Sequence, residues 1–210
     1  LLAIAGVLRT SRTLQDYCYG NHLFDTVLDE MFDRLMPQRT LEDRISRAII
    51  SEELIADEAS VTLANIRRQI RITNNKIKET LQKYVQGGSH AKYLQENIVT
   101  TRNGRYVIPV KAECKNEVKG LVHDTSSSGA TLFIEPAAVV EANNELRVFE
   151  SKEDHEIERI LAELSSAVSE CSNAIWLNYR NITELAFCFA CAQMSYALKG
   201  SAPTVTEERF

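Results

Sequence analysis

Apolar residues recur at steps of three and four along most of the chain, which is the period of an amphipathic α-helix. Between residues 102 and 136 the period changes to two, and glycine, proline and serine residues interrupt the pattern. Alternation of apolar and polar residues is typical of β-strands. The pattern therefore predicts two helical regions separated by a small β-structured part.

The N-terminal region predicts three helices. Gly20 ends the first, Asn21 caps the second and Pro37 stops it. A capping box at residues 40–43 predicts the start of the third helix. The second helix carries an apolar stripe wide enough for a globular core. This stripe consists of Leu23, Phe24, Val27, Leu28, Met31, Phe32 and Leu35.

The segments that flank the β-structured part predict an antiparallel coiled coil. In residues 57–86 the seam consists of Leu63, Ile66, Ile70, Thr73, Ile77, Thr80 and Tyr84. After Pro136 a comparable seam consists of Leu146, Phe149, Glu153, Ile157, Ile160, Leu164, Val168, Cys171, Ile175 and Tyr179. A hairpin of these two helices pairs residues whose numbers add up to about 223.

These patterns predict a mainly α-helical fold, in which a helical core holds a long antiparallel two-helix coiled-coil lever with a small β-structured clamp tip. The predicted divisions are 1–56 and 171–210 for the core, 57–96 and 137–170 for the lever, and 97–136 for the tip, which we call the clamp segment. Beyond residue 170 the apolar face broadens, and we expect it to pack on residues 1–56. It includes Trp176, Leu185, Phe187, Phe189, Met194 and Leu198.

Composition fits a soluble globular protein, with 44% hydrophobic and 25% charged residues. No apolar run reaches the ~20 residues of a membrane span, and the opening apolar stretch lacks the basic flank of a signal peptide. Five scattered cysteines favour reduced thiols and a cytoplasmic location. Cys188 and Cys191 match CxxC inside an apolar helical pattern, where core packing is favoured over zinc binding or redox activity.

The net charge of −5 conceals two blocks of opposite sign. Residues 64–119 hold 12 basic and 4 acidic side chains, and residues 120–170 hold 3 basic and 11 acidic ones. In the predicted hairpin these blocks become flanking stripes of one coiled coil. Arg67, Arg68 and Arg71 then lie near Glu156, His155 and Lys152, close to Glu153 and Asp154. The alternative is a basic stripe that binds nucleic acid along the helix.

The clamp segment predicts three strands at residues 106–110, 118–122 and 131–134, with Pro109 at an edge or bulge. Residues 126–129 form a tight serine-rich connection. Its backbone N–H groups can bind an anion such as phosphate, and the alternative is an ordinary turn.

Basic residues of the clamp segment outnumber acidic ones, and such residues are suited to phosphate contacts. The candidates for contact with nucleic acid or the ribosome are Arg102, Arg105, Lys111, Lys115 and Lys119, with Lys92 just before them. A hydrolase is the third possibility, because His123, Asp124 and the serines contain the residue types of a triad. Adjacent residues of a strand point to opposite faces, which disfavours a relay.

The strings RYVIPVKAE and GLVHDTSSSGATLFIEPAAVVEANNEL closely resemble the MutS-II branch of the MutS superfamily. DEASVTLANIRRQI, YLQENIVTTRNGRY and EIERIL are further matches, so the resemblance covers essentially the whole chain. In that family this region is the core and lever, with the intervening segment acting as a clamp.

The resemblance implies a parent protein with an ATPase domain that binds ATP and Mg²⁺ and dimerises, and usually an Smr nuclease domain. Neither lies in these residues, so no catalytic, cofactor or metal site and no enzymatic activity is expected of this chain. The implied partners are branched DNA in recombination suppression and DNA repair, or the ribosome and its rRNA in the rescue of collided ribosomes. The competing interpretation is a purely structural coiled-coil spacer.

Overall fold

The structure, a computed structural model, describes residues 1–20, 26–88 and 90–201. The chain is mainly helical and carries one small antiparallel sheet, as the sequence predicts. The helices are α1 (Leu2–Gly20), α2 (Asp29–Asp33), α3 (Arg39–Ala48), α4 (Val61–Gln86), α5 (Ala137–Glu170) and α6 (Ser172–Leu198). The strands are β1 (Thr100–Arg102), β2 (Arg105–Lys111), β3 (Gly120–Thr125) and β4 (Thr131–Pro136).

The chain divides into two compact units. The helical unit contains residues 1–56 and 161–210, and the sheet unit contains residues 57–160. Helix α5 contributes residues to both. The long coiled-coil lever and the five sequence divisions stay predictions.

In the helical unit, α1 and α3 pack against each other around a buried carboxylate. Arg12 donates to both oxygens of Glu42, at 2.8 and 2.9 Å. These hydrogen bonds and the charge of Arg12 hold the pKa of Glu42 below its usual range. The predicted capping box is wrong, because α3 begins at Arg39 and Gln38 precedes it without a side-chain cap. Glu42, which lies inside the predicted box, bridges α1 and α3.

The second predicted helix is much shorter than expected. Asn21, Leu23 and Phe24 lie outside the described residues, and α2 spans only Asp29–Asp33. Thr26 precedes it, and its backbone N–H and hydroxyl donate to the Asp29 carboxylate at 2.8 and 2.7 Å. Val27, which the sequence placed in the core, is 94% exposed.

Helix α6 packs on the N-terminal helices through its first half only. Leu185 is buried with Phe32 and Leu35, and the Asn178 side chain bonds the backbone N–H and carbonyl of Met36 at 2.7 and 2.8 Å. The expectation that the later apolar residues also pack on residues 1–56 is wrong. Trp176, Phe187, Phe189, Met194 and Leu198 are exposed.

In the sheet unit, the Ser60 hydroxyl caps α4 by accepting from the backbone N–H groups of Thr62 and Leu63. The buried residues of α4 differ from the predicted seam in its second half. They are Leu63, Thr73, Ile77, Leu81 and Val85, so Leu81 and Val85 replace Thr80 and Tyr84. The buried set ends in steps of four because Ile77, Leu81 and Val85 belong to the core that contains the sheet residues Ile108, Val110 and Ile134.

The four strands lie in the order β1-β2-β4-β3, and every neighbouring pair is antiparallel. Strand β1 was not predicted. Asn103 and Gly104 join it to β2 with φ angles of 52° and 70°, which is the conformation that an Asn-Gly hairpin turn requires. The predicted strand at residues 118–122 begins instead at Gly120, because residues 112–117 form a short 3-10 helix.

Pro109 lies on the part of β2 that β1 does not cover, since β1 pairs only with residues 105–107. Its carbonyl accepts from Gln95 N at 2.9 Å. The missing N–H of a proline is tolerated at such an uncovered edge. In β3 the pairing shifts between Val122 and Asp124, so His123 lies at a bulge.

Candidate nucleic-acid interface

The clamp segment is held together by a buried carboxylate, that of Glu135 in β4. Its side chain is fully buried, and Arg105 Nη1 donates to its two oxygens at 2.9 and 3.1 Å. His123 Nε2 lies 2.5 Å from Glu135 Oε2. Because a buried carboxylate requires partners, these contacts join β2 and β3 to β4.

The same carboxylate connects the sheet to the first turns of α5. Asn143 Nδ2 donates to Glu135 Oε1 at 2.7 Å, and the Asn143 amide also bonds the backbone N–H and carbonyl of Tyr106. Arg105 Nη2 donates to Asn144 Oδ1 at 2.6 Å. Arg105, predicted from the sequence to contact nucleic acid, is therefore engaged inside the sheet unit.

Arg102 lies over an aromatic ring at the surface. Its Cζ is 4.0 Å from the centre of the Phe133 ring, and its Nε is 3.4 Å from Asp124 Oδ2. Arg102 Nη1 also donates to the Thr101 carbonyl at 2.9 Å. The side chain remains 39% exposed, so it is fixed in position and still accessible.

The three candidate lysines are not neutralised within the described residues. Lys115 and Lys119 are exposed and form no ion pair there. Lys111 is half-buried, and its Nζ donates to the backbone carbonyl of Lys92 at 3.2 Å. The Lys92 ammonium lies 4.8 Å from the centre of the Tyr93 ring. These positive charges are available to phosphate groups.

The serine-rich connection is closed by its own hydrogen bonds. Gly129 N donates to the Ser126 carbonyl at 2.8 Å, and Thr131 N donates to Ser126 Oγ at 3.0 Å. Gly129 has a φ of 72°, the left-handed conformation that glycine adopts readily. This geometry favours the ordinary turn over the phosphate-binding alternative.

The residues of the suggested triad do not meet in a relay. The His123 ring bonds Glu135, and Asp124 accepts from Thr125 N and pairs with Arg102. Ser126 Oγ lies 3.4 Å from Ser128 Oγ and accepts from Thr131 N. Among the described residues no serine hydroxyl bonds His123, so the suggested triad is not assembled there.

Charged residues of α4 and α5 pair with each other in the sheet unit. Arg67 Nε donates to Glu153 Oε1 and Arg67 Nη1 to Asp57 Oδ1, both at 2.7 Å. The hydrogen bond from Arg67 lowers the pKa of Asp57. The sequence placed Arg67 opposite Glu156 and close to Glu153, and Glu153 is the residue with which it pairs. Arg68 and Arg71 remain exposed, although Arg71 lies 3.5 Å from Asp57.

A second carboxylate of α5 reaches the start of α4. Ser60 Oγ donates to Glu156 Oε1 at 2.6 Å, and Arg159 donates to both Glu156 oxygens at 2.7 and 2.9 Å. Hydrogen bonds from Arg159 and Ser60 lower the pKa of Glu156 to about 2. The start of α4 is thus joined to the middle of α5 by an ionised carboxylate.

Cysteine, histidine and acidic residues do not assemble into a metal site in the described part of the chain, where no group of three suitable ligands occurs. All five cysteines are unpaired, and Cys191 of the CxxC match is exposed. Across residues 1–20, 26–88 and 90–201, none of the helices combines the length and apolar character needed to cross a bilayer.

Sequence reasoning missed Glu135 and Phe133 as the residues that fix the candidate arginines. Both lie in TLFIEP, two positions apart on β4, so they share one face of the strand. The sequence did carry a signal: in this short strand an aromatic residue is followed two positions later by an acidic residue. It does not reveal which arginine each one binds.

Similarity to known proteins identifies the chain. It is 44% identical to the protein named Endonuclease MutS2 of Acetivibrio thermocellus over 99% of this chain and 27% of the relative. Proteins of the same name match from Caldanaerobacter subterraneus subsp. tengcongensis, 50% identical over 88% of this chain and 23% of the relative, and from Clostridioides difficile, 40% identical over 100% and 27%. No family model matches the chain.

A mainly helical chain with a small clamp-like sheet and these relatives is a segment of a MutS-type protein. Within that class, the chain belongs to the MutS2 (MutS-II) family, whose curated members carry the name endonuclease. The chain spans about a quarter of the length of the relatives it matches.

Proposed function

We propose that the clamp segment of this MutS2 chain binds nucleic acid or the ribosome through its basic side chains. The observation that carries the proposal is the contrast between two groups of cations. Arg67 and Arg105 are paired with acidic residues, whereas Lys111, Lys115 and Lys119 have no ion pair among the described residues. When lysine side chains neutralise phosphates, the counterions condensed on the nucleic acid are released, which favours binding.

The proposal includes a parent protein with ATPase and nuclease domains outside these residues. On the resemblance to the MutS-II branch, the parent binds ATP and Mg²⁺, forms a homodimer and couples nucleotide state to the grip of the clamp segment. Branched DNA and the ribosome with its rRNA are the two proposed partners. Suppression of recombination, DNA repair and the rescue of collided ribosomes are the corresponding roles, in the cytoplasm.

We assign no reaction to this chain itself. Its part in the proposal is mechanical, because helices α4 and α5 are both tied to the clamp segment. The pairing of Arg67 with Glu153 and of Ser60 with Glu156 supports a two-helix lever that transmits motion. The alternative function is a purely structural spacer, in which the same pairings only hold the helices together.

The test is a double substitution, Lys115→Ala with Lys119→Ala, in the 210-residue chain. We expect weaker binding to a DNA four-way junction or to purified ribosomes. The slope of log K against log salt should fall by about 2, since each lost phosphate contact changes it by about 1. The matched control is Arg44→Ala with Arg47→Ala, two exposed cations of α3, which should leave the slope unchanged.

An unchanged affinity and slope in the Lys115 and Lys119 variant would favour the spacer. Loss on the junction alone or on the ribosome alone identifies the partner. Arg105→Ala serves as a further comparison, because it removes a partner of buried Glu135. It should lower the free energy of unfolding by about 3 kcal/mol instead of acting on the salt slope.

A further inference from the structure

Three strands of the sheet unit meet at the Arg102 side chain. Arg102 ends β1, the Phe133 ring beneath its guanidinium belongs to β4, and the Asp124 carboxylate beside it belongs to β3. The Thr101 carbonyl accepts a further hydrogen bond from Nη1 at 2.9 Å. Aromatic ring, carboxylate and carbonyl together fix the orientation of a flexible side chain.

A guanidinium group is planar and stacks on aromatic faces. Phe133 covers one side of the plane, at 4.0 Å from ring centre to Cζ, and the side chain is still 39% exposed. With the ring on one side, the opposite side and the edges of the plane are where a further group can approach. Because the side chain is already ordered, little rotamer entropy remains to be lost when a second planar group stacks on it.

We propose that Arg102 and Phe133 form a stacking platform for an unpaired nucleobase. The base lies on the free side of the guanidinium, so that ring, guanidinium and base form three parallel layers. Bases that are not paired in a duplex stack on arginine planes and aromatic rings in this way. This inference rests on the proposed function, since it names the kind of nucleic acid that the clamp segment recognises.

The charge around Arg102 favours a base over a phosphate group. Asp124 lies 3.4 Å from Nε, and its negative charge repels a second anion on the same guanidinium. A neutral base meets no such repulsion. Lys115 and Lys119 lack a neighbouring carboxylate partner among the described residues and are better placed to contact phosphates. Arg102 is thus suited to contact a base, and Lys115 and Lys119 are suited to contact the phosphate backbone.

The test uses the 210-residue chain and a 12-nucleotide single strand with one central 2-aminopurine, whose fluorescence falls when it stacks. Affinity and fluorescence are measured for the same sequence as single-stranded DNA, as single-stranded RNA and as a duplex. Arg102→Lys keeps the charge and removes the plane. We expect it to lower affinity for the single strand about tenfold and to restore fluorescence at saturation. Duplex affinity should stay within about twofold.

Arg147→Lys is the matched control, because Arg147 is an exposed arginine that bonds the same hairpin at the Asn103 carbonyl without lying on a ring. It should change none of the affinities. Phe133→Leu is a second variant, which removes the aromatic ring beneath the guanidinium without substituting Arg102 itself. It should reproduce the loss for the single strand, with circular dichroism showing that the helices remain folded.

Equal losses on single strand and duplex, or no loss with Arg102→Lys, would overturn the platform and leave the lysine contacts standing. If the unmodified chain binds neither form of nucleic acid, the platform and the proposed nucleic-acid contact both fail. A loss confined to the DNA arm or to the RNA arm identifies the source of the unpaired base.

Discussion

Glu135 determines what several other residues of the sheet unit can do. Its buried carboxylate engages Arg105, His123 and Asn143, so a cation and an imidazole that resemble functional groups serve the fold. Leaving such a carboxylate without partners in the interior would cost several kcal/mol. A charged residue in the sequence can therefore be assigned to a functional surface only once its partners inside the protein are known.

Gly120 allows close contact between β3 and β4. A Cβ atom at this position would lie 2.1 Å from the carbonyl oxygen of Glu135. Gly120→Ala should therefore lower the free energy of unfolding by about 2 kcal/mol or more, because the backbone of β4 has to shift. Urea denaturation followed by circular dichroism measures the change.

Gly88→Ala is the matched control, because a Cβ there meets nothing within 4 Å. It should change stability by no more than about 0.5 kcal/mol. Equal effects of the two substitutions would show that contact with Glu135 is not what requires glycine at position 120.

Helix α4 shows how a neighbouring element selects the buried face of a helix. Its sequence offers a seam through Thr80 and Tyr84, yet Leu81 and Val85 are buried. The sheet core determines which residues are fully buried, since Leu81 and Val85 share it with Ile108 and Val110, while Tyr84 packs against it only partly buried. A periodicity that is read from one helix alone does not contain this information.

The hydrogen bonds that Glu156 of α5 accepts from Arg159 and from Ser60, the N-cap of α4, predict a pH dependence of stability. The pKa of Glu156 is lowered from 4.5 to about 2 in the folded chain, so its contribution is present above pH 4.5. The contribution is lost as the pH falls from about 4.5 to 2, because the unfolded chain binds the proton first.

At pH 7, Glu156→Gln should have a lower urea midpoint than the unmodified chain. At pH 2, where Glu156 no longer contributes, the midpoints of the two chains should lie close together. Glu158→Gln removes an exposed carboxylate two residues away and should leave the profile unchanged. A Glu156→Gln profile parallel to that of the unmodified chain from pH 7 to pH 2 would contradict the assignment.

At the scale of the whole molecule, the second half of α6 exposes a run of apolar side chains. Residues 186–198 carry no charge, and Phe187, Met194 and Leu198 are 70%, 63% and 69% exposed. Soluble domains rarely expose apolar surface of this extent. The chain spans about a quarter of the length of the relatives it matches.

This surface predicts that the 210-residue chain binds the dye ANS in its folded state. Phe187→Glu with Met194→Glu should reduce the dye fluorescence and leave the melting temperature nearly unchanged, because both side chains are exposed. Leu185→Glu places a charge at a position only 1% exposed and should lower the free energy of unfolding by about 3 kcal/mol or more. Undiminished ANS fluorescence in the double variant would place the dye site elsewhere.

The sequence by itself determined the kinds of element and several of their boundaries. Helical periodicity gave the first helix, Pro136 marked the start of α5, and alternation gave the strands around Val107 and Phe133. Even the missed strand β1 carried a local signal in Asn103 and Gly104. These features depend on backbone conformations and side-chain directions that act over a few residues.

Only the tertiary structure decided which charged side chains are neutralised and which remain accessible. Arg105 and Glu135 are 30 residues apart, as are Arg12 and Glu42, and no local pattern pairs them. Lys115 and Lys119 keep their exposure because no acidic residue of the described chain folds against them. Burial and ion pairing depend on which distant segments come together, and that is set by packing of the whole unit.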